Sequence, residues 1–258
     1  MASRHEKKES IHKEDILERG SIYFFYRPKV DEESVEGPKE IQRFQFVLSP
    51  SGQHIYRLIT VGQKQLPRVE STDRYWGYVN LTSSDHNRIN EELKEETYRT
   101  KTRGERVRPA ARPAGEGVYE IVRHNGHTHL VYALELPGKP GHVQQELHIE
   151  EEASYLFSVK NPEIPAQTRL GESHRADFPQ DLQEKFAHRR WISVDPPEFL
   201  NYEGAELLLI GITEDVKGEL GLELNPEDES ENKADILTDL RLQKAEHPVE
   251  PLFKGKWE

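Results

Sequence analysis

Histidines and a carboxylate cluster around one predicted turn, in the stretch VYEIVRHNGHTHLVYAL at residues 118–134. Runs of alternating apolar residues flank Asn125-Gly126, the strongest short-range signal for a two-residue β-hairpin, because a type I′ turn needs positive φ at both central residues. Such a turn sets residue 124 opposite 127 and residue 122 opposite 129, and opposed residues share a face. We therefore predict that one sheet face carries His124, His127, His129 and Glu120.

Three imidazoles on one hairpin are the side chains that a divalent transition metal such as Zn²⁺, Fe²⁺ or Mn²⁺ prefers. The pattern predicts a metal site, with Glu120 or Glu135 as a fourth ligand or general base of a metal-dependent enzyme. The alternative is that the histidines merely flank a solvent-exposed turn. The opposite face is more apolar and is the predicted core face; its residues are Tyr119, Ile121, Leu130, Tyr132 and Leu134.

The His-X-His pattern at residues 127–129, followed by a carboxylate, resembles the metal motif of the cupin family. That resemblance implies cupin-like chemistry at the predicted metal. The chain departs from the motif in two respects. Glu135 lies one residue too far along, and PGKPGH at residues 137–142 matches the second cupin motif only loosely.

A second constellation is the basic segment TYRTKTRGERVRPAARPAGEG at residues 97–117. From residue 99 to residue 112 it has six basic residues against the one acid Glu105, a net charge of +5, which leaves −17 for the rest of the chain. Arginine binds phosphate or carboxylate bidentately, and the neighbouring glycines let backbone approach an anion. The alternative is a linker held by salt bridges to acidic surfaces. The predicted anion-binding residues are Arg99, Lys101, Arg103, Arg106, Arg108 and Arg112.

Composition excludes several classes of function. The net charge of −12 argues against duplex-DNA binding, which neutralises phosphates with Lys and Arg. The absence of cysteine excludes disulfides, thiolate nucleophiles and Cys-type zinc sites. No run has the roughly 18 apolar residues of a membrane-spanning helix, and residues 1–15 contain no apolar signal region. We therefore expect a soluble cytoplasmic protein without a membrane partner.

Apolar alternation predicts strands at residues 22–26, 43–48, 55–61, 75–81, 118–122, 130–136, 154–159 and 205–212. Helical spacing predicts helices at residues 85–98 and 179–188. The aromatic run at residues 23–26 directs rings to both faces of its strand, so one pair fills the core and the other lines a cavity or lies under a second layer.

The predicted fold class is α+β, mainly antiparallel β in two similar halves, with a few short helices and disordered tails. Residues 43–52 (RFQFVLSPSG) correspond to residues 130–141 (LVYALELPGKPG), and residues 55–67 (IYRLITVGQKQLP) to residues 154–165 (SYLFSVKNPEIP). Both halves thus share the order strand, Pro/Gly turn, strand and a polar exit that closes on proline, which suggests an internal duplication. The predicted divisions are a mobile N-terminal lead (1–18), a first β-rich half (19–96), a basic connector (97–117), a second β-rich half (118–215) and an acidic tail with a C-terminal LFKGKW segment (216–258).

The segments ILERGSIYFFYRPKV and TKTRGERVRPAARPAGEGVY resemble a family of bacterial proteins that has no assigned activity. The similarity runs through residues 15–212 and implies a shared architecture, with no activity to transfer. The residues themselves favour a binding protein that recognises an anionic small molecule or an acidic partner group through the basic segment. The alternatives are the metal-dependent enzyme and an interaction protein that docks through LFKGKW at residues 252–257.

Overall fold

The computed structural model describes residues 15–165, 175–227 and 233–257. The strands in these ranges are β1 (Ile16–Pro28), β2 (Ile41–Pro50), β3 (Tyr56–Val61), β4 (Arg74–Ser83), β5 (Glu96–Thr100), β6 (Gly104–Arg108), β7 (Arg112–His124), β8 (His127–Leu136), β9 (Glu152–Lys160), β10 (Trp191–Ser193) and β11 (Glu206–Thr213). The helices are α1 (His86–Leu93), α2 (His142–Leu147), α3 (Gln180–Glu184), α4 (Val216–Leu220), α5 (Asp235–Thr238) and α6 (Glu250–Lys254), with a 3-10 helix at Pro197–Asn201.

Eight of the strands close into an antiparallel barrel. Their order is β4-β3-β2-β1-β7-β8-β9-β11, and β11 pairs with β4 to complete the circle. The short strand β10 pairs with the C-terminal part of β9, and β5 and β6 form a separate two-stranded sheet. The expectation of a mainly antiparallel β protein with a few short helices is therefore confirmed.

The barrel interior is filled by side chains, because inward-facing residues alternate with outward-facing ones along every strand. Phe24 contacts the ring of Tyr132 edge-on with centroids 5.0 Å apart, and Tyr132 stacks on Tyr155 at 6.2 Å. The predicted core face of the histidine hairpin lies in this cluster. Of the aromatic run, Phe24 and Tyr26 point into the barrel, whereas Tyr23 and Phe25 lie under a second layer.

The outer wall of the barrel is covered by the chain itself on two sides. Helix α1 and residues 233–257 cover Tyr23, Phe25 and their neighbours on β2 and β3. Helix α4 and residues 222–224 cover outward-facing side chains of β7 and β8. The predicted disordered tail is therefore wrong for the described residues after 215, because their apolar side chains pack on the barrel. Residues 228–232 and 258 of the predicted tail lie outside the described ranges.

The two predicted halves do not form separate units. β1 pairs with β7 and β4 pairs with β11, so strands from both halves belong to one barrel. Internal duplication stays a prediction. Residues 16–18, assigned to the N-terminal lead, belong to β1, and residues 1–14 lie outside the described ranges. None of the helices in those ranges combines the length and apolar character that a membrane crossing needs.

Candidate functional site

The basic segment forms a hairpin rather than a plain connector. In the β5–β6 hairpin Thr100 pairs with Gly104, and residues 101–103 make the turn. Gly104 has φ +71°, the left-handed conformation that closes three-residue hairpin loops and that glycine adopts without strain. The Thr100 hydroxyl accepts a bond from the Arg103 amide at 3.0 Å and donates one to the Gly104 carbonyl at 3.3 Å. The end of the hairpin thus has a defined shape.

Three of the six predicted anion-binding side chains lie at the free end of this hairpin. Arg99, Lys101 and Arg103, together called the basic tip, are exposed. None of them forms an ion pair with another residue in the described ranges, although Glu105 lies opposite Arg99 in the strand register. These cations therefore face solvent with their charge available to a ligand.

The other three predicted residues have partners within the protein: Arg106 links the hairpin to the segment after β1, Arg108 pairs across the hairpin, and Arg112 lies on β7 of the barrel. Arg106 forms an ion pair with Asp31, and Arg108 Nη2 lies 2.5 Å from a Glu96 carboxylate oxygen. Arg112 is only 5% exposed and donates to the Glu33 carbonyl at 2.7 Å. The six residues therefore fall into two groups: the exposed basic tip, and a base formed by Arg106, Arg108 and Arg112. The alternative prediction of a salt-bridged linker describes the base but not the tip.

Arg27 fixes the base of the hairpin from inside the protein, a role that sequence reasoning missed. Its guanidinium donates to the Lys94 and Pro109 carbonyls at 3.2 and 2.5 Å, on the two chain segments that lead into β5 and out of β6. Burial, with a further contribution from Arg108, lowers the pKa of Arg27 to about 10, so it remains charged at neutral pH. No local sequence pattern distinguishes this arginine from an exposed one.

The histidine hairpin forms with the predicted register. Asn125 and Gly126 have φ of 48° and 77°, as a type I′ turn requires. His124 lies opposite His127, and His129 lies opposite Val122. This face points away from the barrel interior, as expected from the apolar character of the opposite face.

The described side chains of this face do not converge on one point. His129 is buried, and its Nδ1 lies 3.0 Å from the Ser154 hydroxyl oxygen. His124 contacts the His129 ring edge-on at 5.9 Å, whereas His127 is exposed. Burial, with the charges of His124 and His127, lowers the pKa of His129 to about 4. Because Ser154 is fully buried, a substrate cannot reach the Ser154–His129 pair.

The two candidate carboxylates lie in different surroundings. Glu120 faces Arg19 at 4.0 Å, and burial raises the pKa of its carboxyl. Glu135 is buried and accepts a hydrogen bond from the Glu227 amide at 2.7 Å. Within the described residues no group of three or more His, Asp or Glu side chains is arranged to hold a metal. The metal site stays a prediction without geometric support.

Two buried ion pairs were also missed by sequence reasoning. Arg57 donates to both carboxylate oxygens of Glu18, at 2.6 and 3.0 Å, and Tyr119 donates to the same carboxylate at 2.8 Å. Lys160 donates to Glu206 at 2.9 Å on the outer side of β9 and β11. Neither pair includes a residue of the β5–β6 hairpin.

Comparison of the chain with protein-family models, with curated proteins and with solved structures finds no match.

Proposed function

We propose that this chain is a soluble cytoplasmic binding protein whose basic tip recognises an acidic group on the surface of a partner. The observation that carries the proposal is the exposure of Arg99, Lys101 and Arg103, with no ion pair to any described residue, on an anchored hairpin. The remainder of this acidic chain repels acidic partners. The basic tip is therefore a local exception in the surface charge.

The shape of the hairpin favours an acidic surface group over an anionic small molecule. Small-molecule sites are concave and bury most of the ligand, whereas residues 101–105 are all exposed. A shallow depression of about 230 Å³ among the described residues lies elsewhere, around Leu17, Ser51 and Gln53. A projecting tip fits a carboxylate or phosphate presented by another macromolecule.

Anchoring of the hairpin supports selective binding. The Asp31 amide donates to the Val107 carbonyl, and the Asp31 carboxylate accepts from the Val107 amide, both at 2.8 Å. These bonds and the Arg27 contacts hold the strands before a partner arrives. Preorganisation of this kind reduces the conformational entropy lost on binding. Three cations are too few for a duplex-DNA footprint, which normally neutralises more phosphates.

The two alternative functions have weaker support. The histidine face lacks a converged ligand set among the described residues. The C-terminal segment uses its apolar residues internally: Leu252 is fully buried, and Trp257 packs edge-on against Tyr26 at 5.2 Å and donates to Glu146 at 2.9 Å. A segment packed in this way does not present those residues to a partner.

Binding of a fluorescent oligoglutamate peptide, followed by anisotropy, tests the proposal. The triple variant Arg99→Gln/Lys101→Gln/Arg103→Gln removes the tip charges without touching the anchored base, and we expect its affinity to fall about tenfold or more. The matched control Lys39→Gln/Lys139→Gln/Lys256→Gln removes three exposed charges elsewhere and keeps the affinity of the unmodified protein. Affinity should also fall as ionic strength rises.

Equal weakening by the two triple variants would mean that only net charge matters, and would refute a specific role of the hairpin. Saturable binding of inorganic triphosphate, with no binding of oligoglutamate, would overturn the choice of a surface group and identify a small anion as the ligand.

A further inference from the structure

One side of the barrel's outer wall has no covering layer among the described residues. This side comprises β4, β11, β9 and β10. Apart from Leu81 near the end of β4, which packs under the layer that covers Tyr23 and Phe25, its outward-facing apolar residues belong to none of the three apolar clusters that fill the barrel and the two covered sides. We call this surface the tryptophan face; its residues are Trp76, Tyr78, Leu156, Trp191, Leu208 and Ile210.

The register places these side chains on one continuous surface. Leu208 pairs with Trp76 on one side and with Ser158 on the other, and Ile210 pairs with Leu156. Trp76 is 45% exposed, more than any other large apolar side chain in the described ranges, and the other five are partly exposed. A contiguous apolar patch of this kind on a folded protein marks an interaction surface.

The two tryptophans form the centre of the face. Their rings lie 5.0 Å apart at an interplanar angle of 56°, although β4 and β10 are separated by β11 and β9. Lys160 and Glu206 lie on those intervening strands and are buried although they face outward, which is consistent with the two indole rings that meet across these strands. The ion pair is thus shielded from solvent, and the surface presented to a partner is aromatic.

The charges around the face indicate what kind of partner it fits. The charged residues among the outward-facing ones on these four strands are Arg74, Glu152, Lys160 and Glu206. Lys160 and Glu206 form an ion pair, and the half-buried Glu152 lies at the start of β9, opposite Ala133 of β8 and away from the two tryptophans. Arg74 is exposed two residues from Trp76, and exposed Arg189 and Arg190 directly precede Trp191. None of these three arginines forms an ion pair within the described ranges. The apolar face therefore has a basic margin.

We propose that the tryptophan face docks an acidic peptide segment of a partner protein that also carries apolar side chains. Tryptophan, tyrosine and arginine are the residue types that contribute most to protein–protein binding energy. The basic margin complements acidic residues, whereas a two-fold contact between copies of this chain sets arginines against arginines. This surface is distinct from the basic tip, so neither proposal depends on the other.

A synthetic peptide array tests this proposal with the full-length protein. The peptides have equal length and the same phenylalanine and leucine content, and glutamates are replaced stepwise by glutamine and then by lysine. We expect the protein to select the acidic apolar peptides. The variants Trp76→Ala and Arg74→Glu should each weaken that binding about tenfold or more. Arg74→Glu keeps the proposal testable should Trp76→Ala disturb the ion pair beneath it.

Arg88→Glu on helix α1 is the matched control, because it makes the same charge change at an exposed arginine outside both the tryptophan face and the basic tip; we expect it to leave binding of the acidic apolar peptides unchanged. Preference for basic or neutral peptides, or equal weakening by Arg74→Glu and Arg88→Glu, would overturn the proposal. Sedimentation that shows a dimer of the unmodified protein and a monomer of Trp76→Glu would also overturn it, because a second copy would then cover the face.

Discussion

The buried ion pair between Glu18 and Arg57 depends on several partners at once. Glu18 and Arg57 form a bidentate pair, and the third Arg57 nitrogen, Nε, donates to the Asn201 side-chain oxygen at 2.8 Å. The Tyr119 hydroxyl donates a further hydrogen bond to the Glu18 carboxylate. Removal of one member leaves an uncompensated charge in a region of low polarity, which is far more costly than the net contribution of the pair.

We predict that Arg57→Met lowers the free energy of unfolding by about 3 to 5 kcal/mol, measured by urea denaturation. The exposed pair Arg123–Asp195 is the control, since Arg123→Met should cost less than about 1 kcal/mol. The double variant Glu18→Leu/Arg57→Met should recover most of the loss. Equal effects of Arg57→Met and Arg123→Met would show that the buried pair is solvated.

His129 gives the protein a predicted pH dependence of stability. Its pKa of about 4 in the fold is below the ordinary value near 6.5, so the unfolded chain takes up a proton first as the pH falls. The contribution of neutral His129 to the free energy of unfolding is therefore complete above pH 6.5. It is lost as the pH falls from about 6.5 to 4, by up to about 3 kcal/mol. His124, His127 and Glu219 are the charged groups that act on the ring.

His129→Gln should flatten the curve of unfolding free energy against pH within that window. His54→Gln, an exposed histidine, is the control and should leave the curve unchanged. A curve that keeps its slope in His129→Gln would show that other groups produce it. The comparison between variants also cancels the opposite effect of carboxyls such as Glu120, whose raised pKa acts in both proteins.

At the scale of elements, local turn chemistry was predictable and distant pairing was not. Asn125-Gly126 specifies its own turn, and that turn fixes the register of β7 and β8. The β5–β6 hairpin was missed because its strands are polar and lack apolar alternation. The helix predicted at 85–98 is therefore shorter in the structure: α1 ends at Leu93, and the chain enters β5 at Glu96. Glu18 on β1 and Arg57 on β3 are 39 residues apart in the sequence, so no local pattern reveals their pairing.

The conformation of the Asn125-Gly126 turn makes a further prediction. A Cβ on Gly126 meets no atom within 4 Å, so the cost of Gly126→Ala comes from its φ of +77° alone, about 1 kcal/mol or more. Gly138→Ala is the matched control, because Gly138 also has open space around it but no positive φ. Thermal unfolding should separate the two variants. Equal melting temperatures would mean that the turn relaxes to another type.

At the scale of the whole molecule, side chains fill the interior of the barrel. We therefore place the binding of partners on its outer surface. Two sides of its wall are covered by the chain's own segments, the third presents the tryptophan face, and the β5–β6 hairpin projects a basic tip from an acidic protein. The segment composition predicted the location of the basic charge. The division into tip and base depends on folding, because Asp31 and Glu33 lie far from the hairpin in sequence.

Mapping of amide chemical-shift changes on addition of oligoglutamate tests the central claim most directly. The peptide has no apolar side chains, so it distinguishes the basic tip from the tryptophan face. We predict that the largest changes occur at residues 99–103 and decline toward the anchored base at Arg106 and Arg108, and that they disappear in the triple variant of the tip. Changes centred elsewhere, or none at residues 99–103 under saturating peptide, would contradict the proposed function.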